Sequence, residues 1–549
     1  MQTGNGKGVF AGIAIGKVFV FKKQELVIVR GTANTVEEEV ARYKAAKELS
    51  AKQLKALFDK TAAEVGQEEA MIIDVQLLML DDLDYEEEVM RKITEENENA
   101  AYAVTATGEE FADFFASMDD PYMKARAVDV GDVSKRIAMN IQGINPDGIK
   151  MEEPMIIVAE DLTPSETLQL DKNMILAFVT QKGSSNSHTA ILARTMNIPS
   201  LVGADIEITP ELNGKLMIVD GNSGKYYIDP DDITLDEKER RRKAQLQQKE
   251  LLNQLKGKEN VTIDGRKINI YANIGNPKDV ELVINNDAGG IGLFRSEFLY
   301  LGRDSAPTEE EQFASYKYVA EKMNGKKVII RTLDIGADKK ADYFGFEQEE
   351  NPALGYRAIR ICLDQVDLFK TQLRAIYRAS AFGQISIMFP MIISVSEVRR
   401  IKEICEEVKE ELIKEGYEIA PHVELGIMIE TPAAVMVSEE LAKEVEFFSV
   451  GTNDLTQYTL AIDRQNAKLD KIYDAHHPAI LRMLKMIVDN AHKAGAWAGI
   501  CGELGSDTTL TETFLKMGFD ELSVSPTFVL SVRKAVRDTD LSKKEAVVE

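Results

Sequence analysis

The hydrophobic rhythm of the chain changes several times along its length, and each change predicts a different kind of structure. Residues 8–21, GVFAGIAIGKVFVF, alternate small and β-branched side chains and read as strands. From about Val36 to about Asn140 the spacing turns helical and Glu and Ala rise, as in VEEEVARYKAAKELSAKQLKALF and EEAMIIDVQLLMLDDLDYEEEVMRKI. Strand-like runs return at 155–160 (MIIVAE), 174–180 (MILAFVT), 216–220 (LMIVD) and 225–229 (KYYID). An all-helical insert carried by a small α/β domain accounts for this order. Residues 231–258 are charged, free of proline and helical in pattern, and read as a connecting helix.

The second half repeats one unit. Short apolar runs at 268–275, 290–295, 327–332, 385–391, 425–431, 447–454, 498–503 and 521–526 alternate with helical stretches. They fill roughly the ~250 residues typical of a (β/α)8 barrel. A doubly wound open sheet is the rival. Polar groups at the carboxyl ends of these runs favour the barrel: Asn273, Arg295, Arg331, Glu430, Asn453, Asp454 and Cys501. In a barrel those positions converge on one face, where active sites are built.

Composition narrows the function. A chain of 549 residues predicts two or three domains. The formal net charge of −25 argues against nucleic-acid binding and suits a basic protein partner. An anionic substrate must then be drawn in by local arginines. Cys362, Cys405 and Cys501 are far apart and form no CxxC pair, which predicts a reducing compartment without disulfides or thiolate zinc. The N-terminus lacks a signal-like apolar run and no segment approaches a membrane span, so a soluble cytoplasmic protein is expected.

The strand ends suit a small, highly anionic substrate. Arginine presents a planar fork of donors matched to phosphate and carboxylate. Glu430 and Asp454 are hard oxygen donors that as a pair suit Mg2+, with substrate oxygens completing the shell. Each carboxylate by itself is as well explained by pairing with an arginine. Arg357, Lys339 and Arg464 are further cations within loops that can reach the same mouth. A cysteine at Cys501 is commonly an inert core residue, but at a barrel rim its thiol can give a proton to carbon. His188 follows the small polar loop Gly183-Ser184-Ser185-Asn186-Ser187 and opens a strong helix former. A helix start stabilises an added anion, and a neutral imidazole is a nucleophile near pH 7.

SHTAILAR around His188, DLTPSET at 161–167, RTLDIGADK at 331–339, IMFPMIISV at 387–395, IETPAA at 429–434, GTNDLTQYTLAIDR at 451–464 and CGELGSD at 501–507 closely resemble enzyme I of the bacterial sugar phosphotransferase system. The resemblance runs from about residue 8 to 540. It implies a multidomain α/β protein: a swivelling phosphohistidine α/β domain (1–21 and 145–230), a helical insert (22–144) that binds the carrier protein HPr, a linker helix (231–258), and a phosphoenolpyruvate-binding, dimerising (β/α)8 TIM-type barrel (259–549). It implies that His188 is phosphorylated and that Arg295 and Arg331 clamp the phosphate of phosphoenolpyruvate. Glu430 and Asp454 are then the Mg2+ ligands, Asn453 and Arg464 substrate-binding residues, and Cys501 the proton donor. Thr163 matches a threonine beside the histidine, although Thr163-Pro164-Ser165-Glu166 is also a helix-capping sequence. The loop departs from the family at Ser184–Asn186, where the second Gly, an Arg and a Thr are usual; Ala337 and Ser296 replace a Gly and a Thr. Two other readings compete: a phosphoenolpyruvate synthase or dikinase relative, which lacks room here for an ATP domain, and a catalytically silent sensor or scaffold.

Overall fold

The computed structural model describes all residues except 22–25, 27, 32–33, 65–66, 119–120, 145–150, 152, 163–165, 168–169, 184–188, 191–192, 195–197, 302, 304, 337–341, 346–348, 465, 467, 470 and 543–549. His188, Thr163, the Ser184–Asn186 departure, Ala337 and Lys339 therefore lie outside the described residues. The chain divides into two compact units, Met1–Gln248 and Lys249–Glu549.

The first unit is built on a sheet of eight strands: β1 (Gln2–Asn5), β2 (Lys7–Phe10), β3 (Ile13–Val20), β4 (Met155–Ala159), β5 (Ile175–Thr180), β6 (Ser200–Val202), β7 (Leu216–Asp220) and β8 (Lys225–Ile228). Their order is β1-β8-β7-β3-β4-β5-β6-β2. The run β3-β4-β5-β6 is parallel, and β7, β8 and the outer strands pair antiparallel. Between β3 and β4 the described residues form five helices: α1 (Val36–Glu64), α2 (Gln67–Leu80), α3 (Leu83–Thr94), α4 (Ala100–Ser117) and α5 (Pro121–Ile141). Asp82 and Asn99 cap α3 and α4 by accepting from the backbone N–H of Tyr85 and Tyr102. Alternation along β4 explains how insert and sheet share a core. Ile157 and Ala159 pack with the helix residues Tyr85, Val89 and Ile137, whereas Ile156 and Val158 pack with Val18, Met217 and Val219 on the opposite face.

A long helix, α6 (Asp232–Asn253), follows β8. Its first turns are pinned to the sheet by a buried ion pair, Lys238 Nζ to Asp220 Oδ2 at 2.6 Å. Burial alone raises the Asp220 carboxyl, but hydrogen bonds from Lys238, Asn222 and Ser223 outweigh it and hold the group down at about 2.

The second unit is a closed parallel barrel of β9 (Asn269–Ile274), β10 (Ile291–Arg295), β11 (Val328–Arg331), β12 (Ile385–Phe389), β13 (Glu424–Ile429), β14 (Phe447–Val450), β15 (Trp497–Ile500) and β16 (Glu521–Val524). Every predicted barrel strand is present. Period two again sorts the side chains: Ile330 and Ile387 face the surrounding helices, while Leu293, Ile329, Met388, Met428 and Phe447 fill the lumen. Several predicted runs overreach their strands at the carboxyl end, one of them into a helix. Run 447–454 stops at Val450, and Thr452–Leu460 is a helix, so Asn453 and Asp454 sit in a first helical turn rather than on a strand. TNDLTQYTL carries its acidic residue where the helix N-terminus favours negative charge, and it lacks the apolar and aromatic density of FFSV.

Removing Lys238 leaves Asp220 buried without its main countercharge, so Lys238→Met should cost about 3 kcal/mol. Trp497 is the lone tryptophan and belongs to the barrel. In urea, the circular-dichroism transition of the first unit should shift to lower denaturant while the tryptophan fluorescence transition stays in place.

Candidate active site

At the carboxyl end of the barrel strands lies a cavity of about 880 Å³. The predicted residues Arg295, Arg331, Glu430, Asn453, Asp454, Arg464 and Cys501 all line it. They arrive by short routes. Arg295 and Arg331 end β10 and β11, and Glu430 and Cys501 are the residues just past β13 and β15. Asn453 and Asp454 hang from the helix that starts directly after β14.

Arg331 sits at the buried centre. It pairs with Glu297, and its Nη1 lies 2.9 Å from Asp334 Oδ2. Burial opposes the guanidinium charge, but Asp334, Glu297 and Glu430 together hold it firmly protonated. Asp334 also takes Arg357 Nη2 at 2.8 Å, so one carboxylate bridges two buried arginines. Arg357 is placed by Tyr458 (3.4 Å), whose hydroxyl bonds the Ala353 carbonyl. Nε of Arg331 and Nε of Arg357 have no hydrogen-bond partner among the described residues. Buried donors left open at a cavity wall suit an incoming anion. Arg295 is exposed, and Arg464 reaches Asp454 Oδ1 at 3.2 Å.

Glu430 is 1% exposed and accepts from the Met391 N–H at 2.6 Å. Burial, then the neighbouring Asp454 and Asp334 carboxylates, raise its pKa well above the carboxylate range, against Arg331 and that N–H. Two backbone positions beside these groups have left-handed torsions on residues other than glycine: Ala358 (φ 53°), next to Arg357, and Met391 (φ 61°), which holds Glu430. Cys501 is buried, and burial pushes its thiol up to about 12, so it stands as S–H. A thiol held in that form is suited to giving a proton rather than to nucleophilic attack.

Asn273, also expected at the mouth, does not line the cavity. Its amide donates to the carbonyls of Cys501 (2.9 Å) and Ser523 (3.2 Å) and ties β9, β15 and β16 together beneath it. Two ligand-facing acids escape sequence inspection. Glu297, in Ser-Glu-Phe-Leu-Tyr, looks like a solvated loop residue and is 6% exposed; Asp334 lies in the stretch RTLDIGADK, where nothing in the residue type marks it as buried.

Asp334→Ala leaves Arg357 without its carboxylate and Arg331 with Glu297 alone, so it should destabilise the barrel by about 3–5 kcal/mol. Urea unfolding followed by Trp497 fluorescence measures this directly.

Three family descriptions match the chain in order: "PEP-utilising enzyme, N-terminal" over residues 5–126, "PEP-utilising enzyme, mobile domain" over 151–224, and "PEP-utilising enzyme, PEP-binding domain" over 249–541. The phosphoenolpyruvate-protein phosphotransferase of Bacillus subtilis (strain 168) is 43% identical over 547 residues, covering 100% of this chain and 96% of the relative. That of Staphylococcus aureus (strain Mu50 / ATCC 700699) is 44% identical over 544 residues (98% and 95%), and that of Priestia megaterium 43% over 536 residues (97% and 93%). A barrel mouth lined by arginines and carboxylates, preceded by a mobile-domain match that contains His188, thus has full-length counterparts, and the chain belongs to the phosphoenolpyruvate-protein phosphotransferase family, the enzyme I family.

Proposed function

We propose that His188 takes the phosphoryl group of phosphoenolpyruvate at the barrel mouth and passes it to HPr on the helical insert, the first step of phosphoenolpyruvate-dependent sugar uptake. The observation that carries this reading is the single cavity lined by Arg295, Arg331, Glu430, Asn453, Asp454, Arg464 and Cys501. His188 belongs to the unit Met1–Gln248 and the cavity to Lys249–Glu549, so one histidine serves donor and acceptor through movement of its domain. The residue after it in the sequence, Thr189, is buried and donates to the Leu162 carbonyl at 3.4 Å.

In the proposed reaction Arg295 and Arg331 hold the phosphate and Arg464 and Asn453 orient the rest of the substrate. Positioning and electrostatics supply most of the rate in phosphoryl transfer. His188 attacks phosphorus in line, the bridging P–O bond breaks, and the enolate leaves. Cys501 then gives its proton to the methylene carbon and pyruvate forms.

Mg2+ fits the residues present. The cavity lining holds more carboxylates than guanidiniums, and Glu430 is held against ionisation by Asp454 and Asp334. A trianionic substrate entering that field calls for a cation, and Glu430 and Asp454 would hold it. No group of three or more His, Cys, Asp or Glu residues capable of holding a metal occurs among the described residues, so the two carboxylates would need substrate oxygens or water to complete a shell. When bound, Mg2+ neutralises charge on the phosphate and the forming enolate. A homodimer through the barrel and a cytoplasmic location complete the proposal; among the described residues no helix is long and apolar enough to cross a membrane.

His188→Ala should abolish labelling by radioactive phosphoenolpyruvate; label persisting on another residue would sink the assignment. Cys501→Ala should slow pyruvate release by about 10²-fold or more while already phosphorylated chain still transfers normally to HPr. Equal loss of both steps would make Cys501 structural. Chelation of Mg2+ should stop pyruvate formation, and readdition should restore it. A chain that binds phosphoenolpyruvate yet never phosphorylates HPr would instead be a scaffold.

A further inference from the structure

Below the reaction cavity, inside the barrel, lies a carboxyl group that the proposed reaction does not use. Glu521 opens β16 with its side chain in the lumen, fully buried, and neither carboxyl oxygen has a hydrogen-bond partner among the described residues. The surrounding strands make room for it with glycine. A Cβ at Gly292 on β10 would come within 2.1 Å of Glu521 Oε1, and one at Gly499 on β15 within 2.2 Å of Oε2. Leaving a buried carboxyl without partners is costly, so its retention in a packed lumen calls for a use.

Its neighbours point toward Cys501. β15 and β16 pair with Gly499 opposite Glu521, which sets Cys501 and Ser523, each two residues on, side by side on the same inward face. The Ser523 hydroxyl would lie 2.4 Å from the same Gly292 Cβ that meets Glu521 Oε1, so the two oxygens are close neighbours. That hydroxyl donates to Asn273 Oδ1 at 2.6 Å, and the Asn273 amide donates to the Cys501 carbonyl at 2.9 Å. Ser523 and Asn273 thus reach the backbone of Cys501, whose thiol donates to the Val450 carbonyl at 3.5 Å, and Glu521 lies beside them without a hydrogen bond in an otherwise apolar lumen of Leu293, Ile329, Met388, Met428 and Phe447.

We propose that Glu521 is the proton reservoir that restores the Cys501 thiol after each turnover, the Ser523 hydroxyl turning from Asn273, to which it donates at rest, to carry the proton between them. This rests on the assignment of Cys501 as the proton donor. Once Cys501 has given its proton to the enolate carbon, the O–H bond of Glu521 breaks and an S–H bond forms on Cys501. The electron pair stays on the carboxylate and nothing is oxidised or reduced. Glu521 then recovers a proton from solvent between turnovers.

The electrostatics agree with the geometry. Burial raises the Glu521 carboxyl to about 8, opposed by Lys327 and assisted by Asp520, so the group carries its proton near neutral pH yet can release it. The thiolate of Cys501, whose conjugate thiol is pushed up to about 12, is the stronger base, and transfer to sulfur runs downhill. The other groups whose charge bears on this region are Tyr271 on β9, raised by burial and then by Glu521 and Glu424, the Lys327–Glu424 pair at 2.6 Å at the amino end of the strands, and Glu430 and Arg331, which respectively raise and lower Cys501.

The test uses the full-length chain with phosphoenolpyruvate, Mg2+ and HPr in rapid-quench measurement of pyruvate. Glu521→Gln should form its first pyruvate at the native rate and then turn over about tenfold more slowly, with imidazole buffer restoring part of the loss. The variant is expected to fold. A carboxyl whose folded value is raised costs stability as pH climbs from its ordinary 4.5 toward about 8, and the amide escapes that cost. Infrared difference spectra of the native protein supply the independent readout: a protonated-carboxyl C=O band, absent in Glu521→Gln, should bleach and recover during turnover and stay constant in Cys501→Ala. First and later turnovers falling together, neither falling, or a band that does not respond to turnover would overturn the reservoir. A Cys501→Ala variant whose first turnover is as fast as native would instead overturn the donor assignment, and the infrared band of Glu521 at rest would remain.

Discussion

A guanidinium buried at the floor of the barrel mouth dictates the rest of the site. Arg331 is 7% exposed, and a charge in that position is tolerated only with close countercharges. Glu297 and Asp334 meet that demand, and Asp334 recruits Arg357 in turn. The network consumes the nearest carboxylates, so Glu430 is left in a field already rich in negative charge, next to Asp454. Anion donors on one side and a strained pair of carboxylates on the other are thus two consequences of one buried cation. That arrangement is what a phosphate accompanied by a divalent cation requires.

The barrel was legible because its strands are short β-branched runs whose ends carry charge, a combination that ordinary buried strands avoid. Arg295, Arg331, Glu430 and Cys501 could be found by that rule. Asn453 and Asp454 were found for the right cluster but on the wrong element, because the helix begins within two residues of the strand and no turn residue beyond Gly451 announces it. Glu297 and Glu521 were illegible for a different reason. A glutamate in a sequence carries no sign of burial; that of Glu297 comes from pairing with Arg331, and that of Glu521 from glycines on two other strands. Asn273 illustrates the converse, a polar strand-end residue whose hydrogen bonds are spent on joining neighbouring strands.

In the first unit the legible feature was the shift from strand to helical rhythm near Val36 and back before Met155. Alternation on β4 then shows why an insert of that size can sit within a small sheet. One face of the strand is already apolar and needs cover, and the helices provide it. The ion pair between Lys238 and Asp220 belongs to neither pattern. Lysine in a run such as DEKERRRK reads as solvated, and only the approach of β7 distinguishes Lys238 from its exposed neighbours.

Arg331 also links the two halves of the chemistry. Its positive field opposes the burial that raises Cys501, so it favours the thiolate as well as the phosphate. While substrate is bound, much of that field is taken up by the phosphate. In the proposed reaction, transfer of the phosphoryl group to His188 would leave that field available to the sulfur once it has given up its proton. A cation shared in sequence by phosphate and thiolate needs a fixed position, and the backbone supplies it. Left-handed torsions at Ala358 and Met391 cost on the order of 1–3 kcal/mol each and persist only where surrounding structure enforces them. Each adjoins a partner of this network, Arg357 or Glu430, so the strain is located where a small shift would alter both the clamp and the proton donor.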